Sequence, residues 1–200
     1  MKKIGIMGGT FNPIHNGHLF LAEHAFEQVK LDYVLFMPTM NPPHKTDTDV
    51  ISAEHRLNMV KLAIKDNPNF KLSELELNRP GLTYTSDTLK ILKEKETDTE
   101  FYFIVGADSL MMITTWKEPQ TIFSLSTIVV GIRENYMLDE LKEQAKYLEK
   151  TYNGKIIFLD MPNIEISSEN IRERIAGNKT IRYYVPNEVL EYIKTHNLYT

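Results

Sequence analysis

The sequence predicts an α/β fold, a doubly wound parallel sheet with a small helical C-terminal lobe, on three observations. Short β-branched or aromatic runs alternate with helical patterns along the whole chain, and helices long enough to serve as crossovers make neighbouring strands parallel. The runs at 101–105 and 127–132 are almost continuously apolar, as central strands covered on both faces must be. Residues suited to ligand binding cluster just after strand ends, at 8–18, 39–45, 106–109 and Arg133. Parallel sheets bind ligands beyond the carboxyl ends of their strands, so these clusters converge on one edge.

In chain order, residues 3–7 read as a strand and 15–30 as a helix. A second strand at 33–37 is stopped by Pro38, the loop 39–50 holds Pro42-Pro43-His44-Lys45, and Ser52 is placed to cap a helix running to 66. Residues 70–77 read as a strand, Asn78-Arg79-Pro80-Gly81 as a turn and 85–95 as a helix. After the apolar strands comes a helix at 138–152, ended by Asn153-Gly154, then a buried strand at 156–159. Past Pro162 the pattern is helical again, over 168–175 and 186–196. Nothing in this order reads as a repeat, low-complexity tract or linker. With 200 residues against the roughly 150 of a typical domain, 1–200 is expected to be one domain, with 163–200 as a C-terminal helical portion.

Composition removes several classes of function. Hydrophobic residues make up 42% and charged residues 25%, which suits a packed core and excludes a mainly disordered chain. With 23 Lys+Arg against 27 Asp+Glu, a net −4, bulk charge gives no hold on nucleic acid or an anionic membrane, so any phosphate site must be local. The absence of Cys removes disulfides, zinc–thiolate sites, iron–sulfur clusters and cysteine nucleophiles, and it fits a reducing compartment. The apolar stretch after Lys2-Lys3 ends at Gly8-Gly9, too short for a signal peptide, and no run approaches the roughly 18 apolar residues of a membrane span. A soluble cytoplasmic protein is expected.

The densest chemistry is Gly8-Gly9-Thr10-Phe11-Asn12-Pro13-Ile14-His15-Asn16-Gly17-His18. Directly after a strand, glycines let backbone N–H groups approach a phosphate, and Thr10 adds a hydroxyl. His15 and His18 stand three apart at a helix start, so two imidazoles and the positive helix end can act on one anion. The loop is neither a Walker A loop, which needs Gly-Lys-Ser/Thr, nor the spaced Gly-x-Gly-x-x-Gly of a dinucleotide fold. A lone His-x-x-His is more often a turn with a satisfied core histidine; the density of Gly, Thr and His here favours the phosphate reading. No third ligand at familiar spacing supports a metal pair.

A second cluster, Ile166-Ser167-Ser168-Glu169-Asn170-Ile171-Arg172, places Ser168 as an N-cap and Arg172 one turn up the same face; the plain alternative is a capped helix with a surface Arg. Asp108, after an apolar strand, suits ribose hydroxyls or simply caps the next helix. Trp116, the single Trp, stands beside Thr114, Thr115 and Lys117 rather than in an apolar run, and reads as a stacking platform more than as core. Lys45 and Arg133 each follow a strand and are candidates for phosphate contact or plain solvated side chains. No Ser-His-Asp or paired-carboxylate arrangement stands out.

These residues make the chain resemble the bacterial nicotinate mononucleotide adenylyltransferases of the His-x-Gly-His nucleotidyltransferase superfamily. Residues 8–18 look like the superfamily signature, and 166–172 like its C-terminal Ile-Ser-Ser-x-x-Ile-Arg motif. Asn41-Pro42-Pro43-His44-Lys45, Thr83-Tyr84-Thr85, Gly106-Ala107-Asp108-Ser109 and Trp116 match the narrower family in order and approximate spacing. Asn12 stands where that family usually has Asp, and Glu169 where Ser or Thr is common. The first motif alone would also admit phosphopantetheine adenylyltransferases, cytidylyltransferases and class I tRNA synthetases.

The resemblance implies a Rossmann-like nucleotidyltransferase fold and transfer of the adenylyl group of ATP to nicotinate mononucleotide, giving nicotinate adenine dinucleotide and pyrophosphate in NAD biosynthesis. On its motifs, His15, His18, Lys45 and Arg172 would be catalytic. Gly8, Gly9, Thr10, Phe11, Asn41, Thr85, Gly106, Asp108, Trp116, Arg133, Ser167 and Ser168 would bind substrate. Mg²⁺ would arrive on the ATP phosphates, with no protein ligand named. The expected partners are the two small-molecule substrates, with neither nucleic acid nor membrane, and the sequence leaves open whether copies form a homo-oligomer. Rival readings are a related adenylyltransferase acting on nicotinamide mononucleotide or phosphopantetheine, and a non-catalytic nucleotide sensor on a similar sheet.

Overall fold

A computed structural model describes residues 1–40, 50–79, 81–132 and 138–200. The chain runs β1 (Lys2–Gly9), α1 (Asn16–Val29), β2 (Tyr33–Pro38), α2 (Ala53–Ile64), β3 (Phe70–Leu72), α3 (Thr85–Lys95) and β4 (Thr99–Gly106). It continues through α4 (Ala107–Met112), a 3-10 turn at Ile113–Thr115, α5 (Pro119–Leu125), β5 (Ser126–Gly131), α6 (Leu138–Tyr152), β6 (Ile156–Leu159), α7 (Ser168–Ala176) and α8 (Asn187–Thr195). The strands form one sheet in the order β3-β2-β1-β4-β5-β6, and each neighbouring pair is parallel. The order reverses between β1 and β4, which opens a crevice above their carboxyl ends. Register brings those ends level, with Gly9 beside Pro38 and Gly106 beside Gly131.

Alternation along β4 divides the core between the two faces of the sheet. Tyr102 and Ile104 face a cluster with Phe36, Val129, Ile171, Val189 and Ile193, into which α1, α2, α7 and α8 pack. Phe103 and Val105 face a second cluster with Ile4, Ile6, Leu110, Ile122 and Leu141. The uninterrupted apolar character of 101–105 therefore reflects burial on both sides. The C-terminal helices add to the first cluster through Ile171, Val189, Leu190 and Ile193.

Local chemistry accounts for most boundaries. The Ser52 hydroxyl accepts from the His55 N–H at 3.3 Å and caps α2. At the end of α6, Asn153 adopts the left-handed conformation, φ 49°, that commonly ends a helix. Two expectations are corrected. The strand expected over 70–77 stops at Leu72, because after the Ser73 N–H bonds Phe36 O at 2.9 Å the Ser73 hydroxyl takes the Leu75 N–H at 3.4 Å. Turn bonds from Asn78 N to Glu74 O and from Arg79 N to Glu76 O then replace the ladder. At α7 it is Ser167, not Ser168, whose hydroxyl accepts from the Asn170 N–H, at 3.1 Å. Among the described residues, no helix is long and apolar enough to cross a membrane.

Candidate active site

The loop between β1 and α1 is built around a stacked histidine pair. His15 is the N-cap of α1 and is 3% exposed. Its ring lies on that of His18, with centroids 3.7 Å apart and planes 27° apart. The His15 backbone N–H donates to His18 Nδ1 at 3.3 Å, so a neutral His18 carries its proton on Nε2 and has that N–H to donate. A Cβ on Gly17 would stand 3.1 Å from His15 Nδ1, so the missing side chain lets the ring lie there. Phe11, at φ 50°, is 2% exposed and meets His18 edge-on, with centroids 5.0 Å apart. Its side chain supports the imidazole from below.

The C-terminal motif closes onto this loop from the opposite end of the chain. The Ser168 hydroxyl donates to Pro13 O at 2.8 Å, and Arg172 Nη1 donates to Asn12 O at 2.9 Å. Asn12 itself is 1% exposed, and its Oδ1 accepts from the Tyr199 hydroxyl at 2.9 Å and from the Ile51 N–H at 3.4 Å. Burial pushes the Tyr199 phenol far above its ordinary range, with Arg172 and Arg56 opposing, so it stays protonated and donates. Glu169 is exposed.

Arg56 is the residue that the sequence reading missed. It belongs to the buried face of α2 with Met59, Val60 and Ile64, where the helical period calls for an apolar side chain. That break in the pattern was its available signal. Its guanidinium donates to Thr10 O at 2.8 Å, Thr39 O at 2.6 Å, Met40 O at 3.1 Å and Ile51 O at 3.2 Å. Burial pulls its pKa below the ordinary arginine value, yet a guanidinium remains charged near neutrality. One buried cation thus joins the loops that follow β1 and β2.

Above the sheet, two cavities share a wall made of Gly8, Gly9, Phe103 and Trp116. One, of about 260 Å³, is lined by His15, His18, Gly106 and Asp108. The other, of about 160 Å³, is lined by Thr10, Thr39, Glu76, Thr83, Thr85 and Lys117. Thr85 opens α3, whose first turn has no side-chain cap, and with Thr83 and Tyr84 it lines the second cavity, so the start of that helix forms part of the wall. Trp116 is half-buried and stands edge-on to Phe103, with centroids 6.0 Å apart, so its side chain is neither solvated nor enclosed.

The structure therefore brings together Gly8, Gly9, Thr10, His15, His18, Thr85, Gly106, Asp108 and Trp116. Phe11, Ser167, Ser168 and Arg172 line neither cavity; they hold the first loop or the helix that packs on it. Asn41, Lys45 and Arg133 lie outside the described residues. Glu76, 7% exposed, was also missed. Its carboxylate accepts from the Thr88 hydroxyl at 2.7 Å, and burial pushes its pKa above the ordinary carboxylate value against the pull of Thr88, Thr39 and Arg79. Among the described residues, no group of three or more metal-ligating side chains forms.

Comparison with known proteins agrees with this geometry. The cytidylyltransferase-like family matches residues 6–174. A protein of Clostridium novyi, named "Probable nicotinate-nucleotide adenylyltransferase", is 46% identical over 199 residues, covering 100% of both chains. A protein of Lachnoclostridium phytofermentans with the same name is 44% identical, again with 100% of both chains covered. The fold is shared with the nicotinic acid mononucleotide adenylyltransferase of Plasmodium falciparum. Its complex with NaAD superimposes with a TM-score of 0.83 at 24% identity, and its complex with APC with a TM-score of 0.81 at 23% identity. Those structures cover 100% of this chain, and 98% of each is matched in return. With its full length matched at this identity and its Rossmann-like sheet carrying the paired histidines at the switch point, the chain belongs to the nicotinate-nucleotide adenylyltransferase family of nucleotidyltransferases.

Proposed function

We propose that the protein transfers the adenylyl group of ATP to nicotinate mononucleotide, releasing pyrophosphate and nicotinate adenine dinucleotide. The observation that carries this reading is the pair of cavities divided by Gly8, Gly9 and Trp116. Two ligands seated on either side meet at the glycine pair, where backbone approach is closest. ATP takes the cavity of His15, His18 and Asp108, with its ribose toward Asp108. The acceptor takes the cavity of Thr85 and Trp116, with its ring on the indole.

An oxygen of the acceptor's 5′-phosphate attacks the α-phosphorus of ATP. A P–O bond forms, the bond from that phosphorus to the α–β bridging oxygen breaks, and pyrophosphate departs. A phosphate is already a nucleophile at neutral pH, so the protein needs donors rather than a base. The Nε2–H of His18, the α1 N-terminus and the N–H groups of Gly8 and Gly9 supply donors where negative charge develops. Arg172 lines neither cavity and directs one of its five N–H groups at Asn12 O beside the histidine loop; its role toward the departing anion is assigned from the motif. Ser168 fixes the loop through Pro13. Lys45 and Arg133 are assigned from the motifs alone, the first to phosphate and the second to the mononucleotide end.

Asp108, the one carboxylate lining the first cavity among the described residues, suits a Mg²⁺ ion that keeps most of its water and is held by ATP itself. Such an ion neutralises phosphate charge. Residues 163–200 belong to the same unit on this reading and complete the phosphate site. The discriminating experiment is pyrophosphate release with ATP and each of nicotinate mononucleotide, nicotinamide mononucleotide and 4′-phosphopantetheine. Release with the first acceptor is expected. ATP binding without release with any acceptor would establish the sensor instead.

A further inference from the structure

Glu76 has no part in the reaction so far. It lies outside every motif that marks the site, yet it is 7% exposed and lines the same cavity as Thr85 and Trp116. Its carboxylate is held by the Thr88 hydroxyl at 2.7 Å, and Arg79 Nη1 reaches that same hydroxyl at 3.4 Å. No ion pair forms to Glu76 among the described residues. The Thr39 hydroxyl and the charge of Arg79 also favour the carboxylate, yet burial outweighs them, so the site can take a further positive charge brought by a ligand.

The acceptor assigned to this cavity carries a fixed cation, because a pyridine nitrogen bonded to ribose is positively charged. We propose that the Glu76 carboxylate is the counter-charge for that pyridinium ring, and so a specificity-determining residue for N-ribosylated pyridinium acceptors over uncharged rings. The proposal rests on the reading of this cavity as the acceptor site. Once the ring fills the cavity and displaces its water, opposite charges attract across several ångströms without touching. The same cavity is lined by Lys117 and by Thr85 at the start of α3, which suit the ring's own carboxylate. A zwitterionic ring therefore meets a cavity with charges of both signs.

The test compares nicotinate mononucleotide with its 1,4-dihydro form, which keeps the phosphate, ribose and ring carboxylate but loses the ring charge. Both are titrated calorimetrically into wild-type protein, Glu76→Gln and Glu76→Asp. Wild type is expected to prefer the charged ring. Glu76→Gln loses about tenfold in affinity for it while binding the dihydro form and ATP within twofold of wild type, and Glu76→Asp retains most of the preference. Equal weakening toward both rings, or no change toward the charged one, would overturn the proposal. Should Glu76→Gln not fold, wild type and Glu76→Asp still decide. Equal binding of the two rings by wild type, or loss of the preference in a folded Glu76→Asp, removes the counter-charge, and a preference kept in both and also in Trp116→Ala, where no indole distinguishes the rings, supports it. Wild type that turns over nicotinate mononucleotide without preferring the charged ring defeats only the role of Glu76. Wild type that neither binds nor turns it over defeats the acceptor reading itself.

Discussion

Arg56 Nη1 lies 2.6 Å from the carbonyl oxygen of Thr39, and the same nitrogen donates to Thr10 O at 2.8 Å. Thr10 and Thr39 belong to the loops after β1 and β2, and both line the cavity assigned to the acceptor. The mouth of that cavity is thus set by a side chain that does not enter it.

Removing this cation leaves several buried carbonyls without their donors. Arg56→Ala is expected to lower stability by about 3 kcal/mol or more. Arg56→Lys keeps a charge but not the fork, so it should fall between the two in stability and raise the KM for the acceptor more than that for ATP. Urea denaturation and steady-state kinetics check both parts. Melting unchanged in Arg56→Ala would remove the joining role.

His18→Ala tests the donor proposed for developing phosphate charge. A fall of about 10²- to 10³-fold in kcat with little change in either KM is expected, the usual result of losing one preorganised donor. His18 also stacks on His15 and meets Phe11, so melting must be measured alongside. A folded variant with less than about threefold loss in kcat would leave His18 a packing residue.

The sheet was legible because central strands and crossover helices differ in period and length, and the residues at strand ends in 8–18 and 106–109 identify the crevice by position alone. The edge strand was not: beyond Leu72 the Ser73 hydroxyl redirects the backbone, which apolar alternation cannot register. Ser167 and Ser168 offer the same hydroxyl, and only the contact of Ser168 with Pro13 across 155 residues decides which one caps. Arg56 and Glu76 escaped for a shared reason. Each is a charged side chain whose partners are distant in sequence, and local pattern reads such residues as solvated.

Trp116→Ala is expected to raise the KM for nicotinate mononucleotide several-fold while changing that for ATP little, since aromatic pairing is worth about 0.5 to 1.5 kcal/mol beyond burial. Emission from this single Trp should be quenched by the mononucleotide and much less by ATP alone. The edge contact with Phe103 supplies the opposing outcome. Equal quenching by both ligands, with a large drop in melting temperature for the variant, would make Trp116 a core residue.

Glu76 also makes a stability prediction with a definite sign. Its folded pKa is raised above the ordinary value, chiefly by burial, so the folded state binds the proton more tightly than the unfolded chain does. Its contribution to stability is therefore fully present below the unfolded pKa of roughly 4.3 and is lost as pH rises through the folded pKa. Gln carries no charge at any of these pH values and can still accept from Thr88. The melting temperature of Glu76→Gln relative to wild type should thus climb as pH is raised from about 4 toward neutrality, with the variant gaining relative stability where it loses affinity for the charged ring. Thermal melts of both proteins in buffers of matched ionic strength across that range give the difference curve directly. A flat curve would mean that the Glu76 carboxyl titrates alike in the folded and unfolded chain. A curve that falls with pH would mean that the folded protein favours the carboxylate, with the bonds from Thr88 and Thr39 and the charge of Arg79 outweighing burial.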